Sequence, residues 1–251
     1  MIGCIIQARM GSTRLPGKVL MELDLQNTVL DFVISQIKHC KNCNKIIIAT
    51  TNLSEDDEIE SLALKNQIQC FRGNSTDVLD RFYQCAKKFQ ITDIIRVTAD
   101  NPLIDPTLVD QVIEKFEKEK YDYVNNFIPR TFPYGTEVEI FSFKTLEVAW
   151  INAEKPSERE HVTPYIYNNT RFNIASIKNS KDLSNLRWTV DHKNDFELVK
   201  KIISKTNDRP ILLDKILKII ETEPSIIQIN KDNIPNEGYI KSLKEDNFIK
   251  K

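Results

Sequence analysis

Ile2-Gly3-Cys4-Ile5-Ile6-Gln7-Ala8-Arg9-Met10-Gly11-Ser12-Thr13-Arg14-Leu15-Pro16-Gly17-Lys18 opens the chain with an apolar run that passes straight into a loop of glycines, hydroxyls and cations. Ile2–Gln7 is short and nearly continuous in apolar residues, which predicts a strand buried on both faces. The pattern repeats outward from there. Val29, Leu30, Val33 and Ile37 fall on one face of a helix. Lys45–Thr50 reads as a second buried strand and Gln69–Phe71 as a short third. Between them Ser54 stands as N-cap, with Asp57 three residues on and an apolar face of Ile59, Leu62 and Ala63. Ser75–Phe89 is the cleanest amphipathic helix, with Val78, Leu79, Phe82, Cys85, Ala86 and Phe89 in one stripe. Asp93–Thr98 is a further buried strand, and Asp105-Pro106 opens a helix as cap and first-turn proline. Strand and helix alternating from residue 2 to about 120 predict an α/β fold, a parallel sheet with helices on both faces.

The texture changes at Tyr121. Val138–Phe141, Phe172–Ile177 and Leu186–Val190 read as strands, and Phe143–Ala153, Glu158–Tyr167, Asp195–Ile203 and Ile211–Ile220 as helices. Residues 224–251 are polar and rich in Lys and Asn, and suit a short terminal helix or an arm packing on a partner. The whole suits one large domain or one domain with a smaller lobe.

Lys and Arg total 35 and Asp and Glu 36 in 251 residues, a net charge of −1 that excludes a basic nucleic-acid footprint. Hydrophobic residues at 41% and charged residues at 28% suit a soluble globular chain rather than a disordered one. No segment nears the roughly 18 apolar residues of a membrane span, and the positive charges Arg9 and Arg14 follow the first apolar run instead of preceding it. The expectation is a cytoplasmic protein without nucleic-acid or membrane partners. The five cysteines are odd in number and scattered; Cys40-x-x-Cys43 has no answering pair and reads as a helix end rather than a metal site.

In an open α/β sheet the ligand lies beyond the carboxyl ends of the strands. The loop there holds Arg9, Arg14, Lys18, Gly11, Gly17, Ser12 and Thr13. Glycine lets backbone N–H groups approach a phosphate, and Arg and Lys neutralise it. The loop is no P-loop, because Ser12 and Val19 replace the required Gly and Ser or Thr, and G-x-G-x-x-G is absent. Beyond the 93–98 strand, Asp105 is accounted for as a helix cap, whereas Asp100 has no such task and is placed to hold Mg²⁺ across from a polyphosphate. Asp191 suits either a second metal carboxylate or the N-cap of the next helix.

The opening stretch resembles the signature of the cytidylyltransferases that activate 3-deoxy-manno-octulosonate and related sugar acids. Phe71-Arg72-Gly73 with Asp77–Arg81, Arg96–Ile104, Tyr121-Asp122-Tyr123, Gly135–Glu139 and Glu158–Tyr165 resemble the spore-coat polysaccharide branch of that superfamily. The resemblance runs from residue 2 to about 200. It implies a Rossmann-like, three-layer nucleotidyltransferase fold with a mainly parallel sheet and a small acceptor and dimerisation lobe. Residues 1–223 would form the nucleotidyltransferase domain, with 1–120 as the nucleotide-binding half and 121–190 as the acceptor and dimer part; 224–251 would be a C-terminal arm. The implied activity is transfer of CMP from CTP to a sugar acid or acidic phosphate, with Mg²⁺ and release of pyrophosphate, by a homodimer.

Residue by residue, the resemblance implies nucleotide binding by Ala8, Arg9, Gly11, Ser12, Arg14 and Lys18 around the triphosphate, and by Arg72, Gly73, Asn74 and Ser75 at the nucleoside. Arg9, Lys18 and Asp100 would be catalytic, and Asp100 and Asp191 would hold the metal. Arg130, Glu137, Glu139, Arg159 and His161 are acceptor candidates, an Arg clamp suiting an acid; Arg130 and Arg159 equally suit surface ion pairs. By that resemblance Ala99 stands where the sugar-acid enzymes carry Gly, and Glu137 where Asp is common in the spore-coat branch. Two rivals stand beside this: a glycosyltransferase, which would carry Asp-x-Asp where this chain has Asp100-Asn101-Pro102, and a non-catalytic nucleotide-binding protein.

Overall fold

The computed structural model describes residues 1–247. Seven strands form one sheet: β1 (Ile2–Gln7), β2 (Lys45–Thr51), β3 (Gln69–Gly73), β4 (Asp93–Thr98), β5 (Tyr123–Asn125), β6 (Glu139–Ser142) and β7 (Ile174–Ser176). Their order is β3-β2-β1-β4-β6-β5-β7. The first four are mutually parallel; β6 runs antiparallel to both β4 and β5, and β7 is parallel to β5. Among the described residues there are ten α-helices: α1 (Val29–Ile37), α2 (Asp57–Lys65), α3 (Val78–Lys88), α4 (Pro106–Lys118), α5 (Phe143–Asn152), α6 (Pro156–His161), α7 (Pro164–Tyr167), α8 (Lys193–Ser204), α9 (Leu213–Thr222) and α10 (Glu237–Asp246).

The pleat of β1 divides the core. Cys4 and Ile6 pack with α1, α2 and α4 residues on one face, and Ile5 packs with α3 and α5 residues on the other. Both faces are therefore covered, giving three layers as expected. A third cluster joins Phe32 and Leu103 to Trp188, α8 and α9. Ile211, Ile216, Ile219 and Ile226 are buried there within the chain. No helix among the described residues is long and apolar enough to cross a membrane.

Local departures have physical causes. Leu186–Val190 is extended but pairs only through a bridge between Tyr134 and Arg187, so it never becomes a strand. Its carboxyl end is tied elsewhere, Val190 N–H donating to the Asp100 carbonyl at 2.8 Å. The helix expected over Glu158–Tyr167 breaks at Val162, which has φ +70°, just before Pro164. A proline lacks the N–H a continuous helix needs there. Ser54 begins a 3-10 turn instead of capping α2, and Asp77, not Ser75, caps α3. Asp105 caps α4 as expected, accepting from Thr107 N at 2.7 Å.

Candidate active site

The loop after β1 is shaped by its backbone. Met10 O accepts from Ser12 N at 2.8 Å and Gly17 N at 3.0 Å, while Met10 N donates to buried Asp56 at 2.7 Å. Gly17 closes the turn at φ +69°, where a side chain would be strained. The chain thereby re-enters the fold at Lys18, which is only 7% exposed. Its Nζ lies 2.7 Å from Asp100 Oδ2 and 2.9 Å from Asp191 Oδ1. Burial works against the ammonium, but the two carboxylates outweigh it and raise its pKa.

Asp191 carries more than that pair. Arg14 bonds it, and Arg187 Nη2 lies 3.0 Å from its second oxygen. Burial would raise its pKa, yet Lys18, then Arg14 and Arg187, hold it well below the usual carboxylate range. It does not cap α8. That position belongs to His192, and Asp195 reaches back to the N–H groups of Asp191 and His192 at 3.1 and 3.0 Å. Fully buried Asp195 also holds Arg187, Asn230 and Asn233. Asp195→Ala would remove the one buried carboxylate that Arg187, Asn230 and Asn233 share, leaving Arg187 only its bond to Asp191, and is expected to lower unfolding free energy by about 3 kcal/mol, read by urea denaturation.

A cleft of about 540 Å³ runs along this cluster, lined by Ala8, Arg9, Ser12, Arg14, Lys18 and Asp100 among others. α10 forms one wall of it. Glu237 bonds His192 Nε2 at 2.7 Å and stands 3.5 Å from Arg14, while Ser242 meets His161 at 3.0 Å and Glu160 at 2.5 Å. Asp246 accepts from Ser157 N on α6 at 2.9 Å. Residues 237–246 thus pack on their own chain, over the cleft. A second cleft of about 520 Å³ shares Arg14, Thr98, Asp100 and His161 with the first.

A family profile described as cytidylyltransferase matches residues 3–232. The chain belongs to the cytidylyltransferase family. It is 33% identical over 231 residues to the spore coat polysaccharide biosynthesis protein SpsF of Bacillus subtilis, covering 88% of this chain and 94% of that one. The solved structure of a cytidylyltransferase from Leptospira borgpetersenii superposes with TM-score 0.87 at 35% identity, over 93% of this chain and 98% of that one. A CMP:2-keto-3-deoxy-manno-octonic acid synthetase complexed with CTP shares the fold, with TM-score 0.62 at 15% identity over 81% of this chain and 98% of that one. The protein is therefore a nucleotidyltransferase.

In this cytidylyltransferase the expected triphosphate residues Arg9, Ser12, Arg14 and Lys18 meet Asp100 in one cleft, with Asp191 bonded to Lys18 and Arg14. Gly11 instead faces Glu55, an added Cβ falling 3.1 Å from its carboxylate. Arg72 does not line the cleft. Its guanidinium is taken by Asp57 at 2.5 Å, Glu60 at 3.0 Å and the Thr51 and Leu53 carbonyls. Asn74 folds onto Thr76 and Asp77 N–H groups, an Asx-type turn, and neither it nor Ser75 lines the cleft.

Among the acceptor candidates, Arg130, Glu137 and Glu139 line the second cleft. Arg130 bonds Glu137 at 2.6 Å and stacks 3.6 Å from the Tyr134 ring centroid. Glu139 is buried against Arg96 at 3.1 Å, Tyr123 and Thr163; burial raises its pKa despite Arg96. Arg159 lines neither cleft. It is locked on Asp77 and the Trp150 carbonyl, joining α3, α5 and α6. Arg96 and Arg187, absent from the expected set, line the second cleft, and Arg81 the first. Arg81 had a signal: it stands three residues after Val78, inside the apolar stripe of α3.

His161 gives a pH signature. Burial, with Arg96 and Arg9 nearby and only Glu160 and Asp246 opposing, brings its pKa down to about 4. The unfolded chain binds that proton near pH 6.5, so stability is whole above 6.5 and drains between 6.5 and about 4. Thermal melts are expected to lose up to about 3 kcal/mol across that window, and His161→Gln to flatten the loss.

Proposed function

We propose that this cytidylyltransferase transfers CMP from CTP to an oxygen of a sugar acid or acidic phosphate, releasing pyrophosphate, in surface polysaccharide or glycoconjugate synthesis. The carrying observation is the convergence of Lys18 and Arg14 on Asp100 and Asp191 where the two clefts adjoin. The family supports CTP, and the spore-coat relative supports the polysaccharide setting.

The acceptor oxygen attacks the α-phosphorus in line. The bond from that phosphorus to the bridging oxygen breaks, pyrophosphate leaves, and the acceptor's proton, where it has one, passes to water. The protein's task is positioning and neutralising charge. Lys18 and Arg14 hold the β and γ phosphates; Arg9, exposed and only loosely held by Glu160 at 3.6 Å, is free to meet the α-phosphate and leaving oxygen. Arg96, Arg130 and Arg187 line the second cleft, paired with Glu139, Glu137 and Asp191, and an acidic acceptor would engage them by displacing those carboxylates.

Asp100 and Asp191 suit a divalent cation such as Mg²⁺: both are hard oxygen donors already converged on one cation, Lys18. Mg²⁺ commonly takes one or two protein carboxylates and completes its shell with phosphate oxygens and water. When bound, it would polarise the α-phosphate. A cytoplasmic homodimer completes the reading; the free thiols suit a reducing compartment, and sedimentation velocity tests the dimer.

The deciding assay is pyrophosphate release with Mg²⁺, each of the four nucleotides and a broad panel of sugar acids and acid phosphates. Release is expected with CTP and at least one acid. Silence with every CTP pairing would sink the proposal.

A further inference from the structure

The buried stripe of α3 carries one cation. Arg81 is 2% exposed among Val78, Leu79, Phe82 and Cys85. Its Nε and Nη1 have no hydrogen-bond partner among the described residues. The nearby carboxylates are committed elsewhere: Asp56 to Met10 N and Thr51, Asp77 to Arg159 and the Asp80 N–H. A buried, unpaired guanidinium is costly in the empty protein, so its place in the fold asks for an occupant with acceptors.

Its surroundings say where that occupant sits. Arg81 lines the nucleotide cleft. Its stem passes Gly73, where an added Cβ would fall 3.2 Å from Arg81 Cγ and 2.7 Å from the Phe71 ring. Gln7, the last residue of β1, lines the same cleft and has a buried Oε1 with no partner among the described residues. β1 separates β4, which leads to Asp100, from β2 and β3, against which α3 packs. Lys18, beyond β1, and Asp100, beyond β4, thus line the same cleft as Arg81 on α3. Burial, and then the charge of Arg9, lowers the Arg81 guanidinium to about 10, so it is still a cation at neutral pH.

We propose that Arg81 and Gln7 read the base of the nucleotide, an inference that rests on the CTP reading above. Cytosine presents two neighbouring acceptors, O2 and N3, to two parallel N–H donors on one edge of the guanidinium, and its exocyclic amino group donates to Gln7 Oε1. Uracil presents an N–H at the ring nitrogen and a carbonyl beyond it, setting donor against donor and acceptor against acceptor. A site built on such bonds rejects the analogue because its own buried groups are left unpaired. Gly73 then serves to let the Arg81 stem through, while Arg72 beside it serves α2.

Calorimetric binding of CTP and UTP tests this without knowing the acceptor. The wild-type protein is expected to favour CTP. Arg81→Met, similar in reach but uncharged, should weaken CTP binding roughly 10- to 100-fold and bring the CTP-to-UTP ratio close to one. Its ligand-free thermal midpoint should hold or rise, since a buried unpaired charge is removed. Arg81→Lys, keeping charge without the fork, should also lose discrimination. If Arg81→Met weakens CTP and UTP equally, the residue serves a phosphate and the base-reading role is overturned. A lower midpoint with unchanged nucleotide affinity overturns it too, in favour of a structural role. Wild-type protein that binds UTP as well as CTP removes the CTP reading along with it; wild-type preference that survives in Arg81→Met removes this inference alone.

Discussion

Lys18→Ala is expected to lower the rate of pyrophosphate release about 10²- to 10³-fold, equivalent to about 2.7–4 kcal/mol of transition-state stabilisation, the scale of one lost oxyanion donor. The ammonium is nearly sealed from water, so little solvent competes for its three donors. In the empty site those donors are spent on Asp100 and Asp191. They become available to phosphate oxygens when the triphosphate arrives, and most usefully as charge builds on the leaving pyrophosphate. An interaction made chiefly in the transition state lowers kcat and kcat/KM together, and that is the expected split. The fold should survive, because Arg14 and Arg187 still neutralise Asp191. Lys18→Arg should not rescue activity, since a planar fork does not replace a point charge between two carboxylates. Near-normal pyrophosphate release by Lys18→Ala, in protein with an unaltered thermal midpoint, removes Lys18 from the mechanism.

What the chain discloses in its sequence depends on whether the force that places a residue is periodic. Ile2–Gln7, Val29–Ile37 and Asp93–Thr98 take the bounds their apolar spacing predicts, because burial against both layers selects them. Leu186–Val190 has the same apolar texture, yet its side chains fill the third core while its backbone is tied to Tyr134 and Asp100, so texture alone misassigns it. The same contrast runs through the site. The cations of residues 9–18 are legible because a loop beyond a parallel strand has a fixed place in the fold. Arg72 and Arg81 are nine residues apart in one motif, and only the helical spacing of Arg81 beside the apolar residues of α3 tells them apart; β3 turns Arg72 onto the acidic start of α2. α10 is less visible still. Its docking rests on polar contacts, Ser242 with His161 and Glu160, and Asp246 with Ser157, and no hydrophobic period announces those.

Asp100→Asn and Asp191→Asn are each expected to lower turnover roughly 10²- to 10⁴-fold, the rate equivalent of the several kcal/mol a Lewis acid contributes. The carboxamide keeps the shape and loses the charge, so the loss should appear with a higher Mg²⁺ requirement rather than with unfolding. The same geometry forces a less obvious result. Lys18 Nζ is bonded to one oxygen of each carboxylate, so in the nucleotide-free protein the ammonium and a divalent cation compete for the same two groups. Two cations cannot share them cheaply at that range. Wild-type protein should therefore bind Mn²⁺ weakly alone and tightly with CTP, whose phosphates draw Lys18 and Arg14 away and add their own oxygens. Lys18→Ala should reverse the order in the empty site, binding Mn²⁺ roughly tenfold more tightly than wild type while turning over far less, the scale of a modest electrostatic coupling. Electron paramagnetic resonance titration of Mn²⁺ reads this without any turnover. Equal Mn²⁺ affinity in Lys18→Ala and wild type would mean that the cation binds elsewhere. The same titration on Asp100→Asn and Asp191→Asn then separates the outcomes, since a metal held by these carboxylates must weaken when either is neutralised.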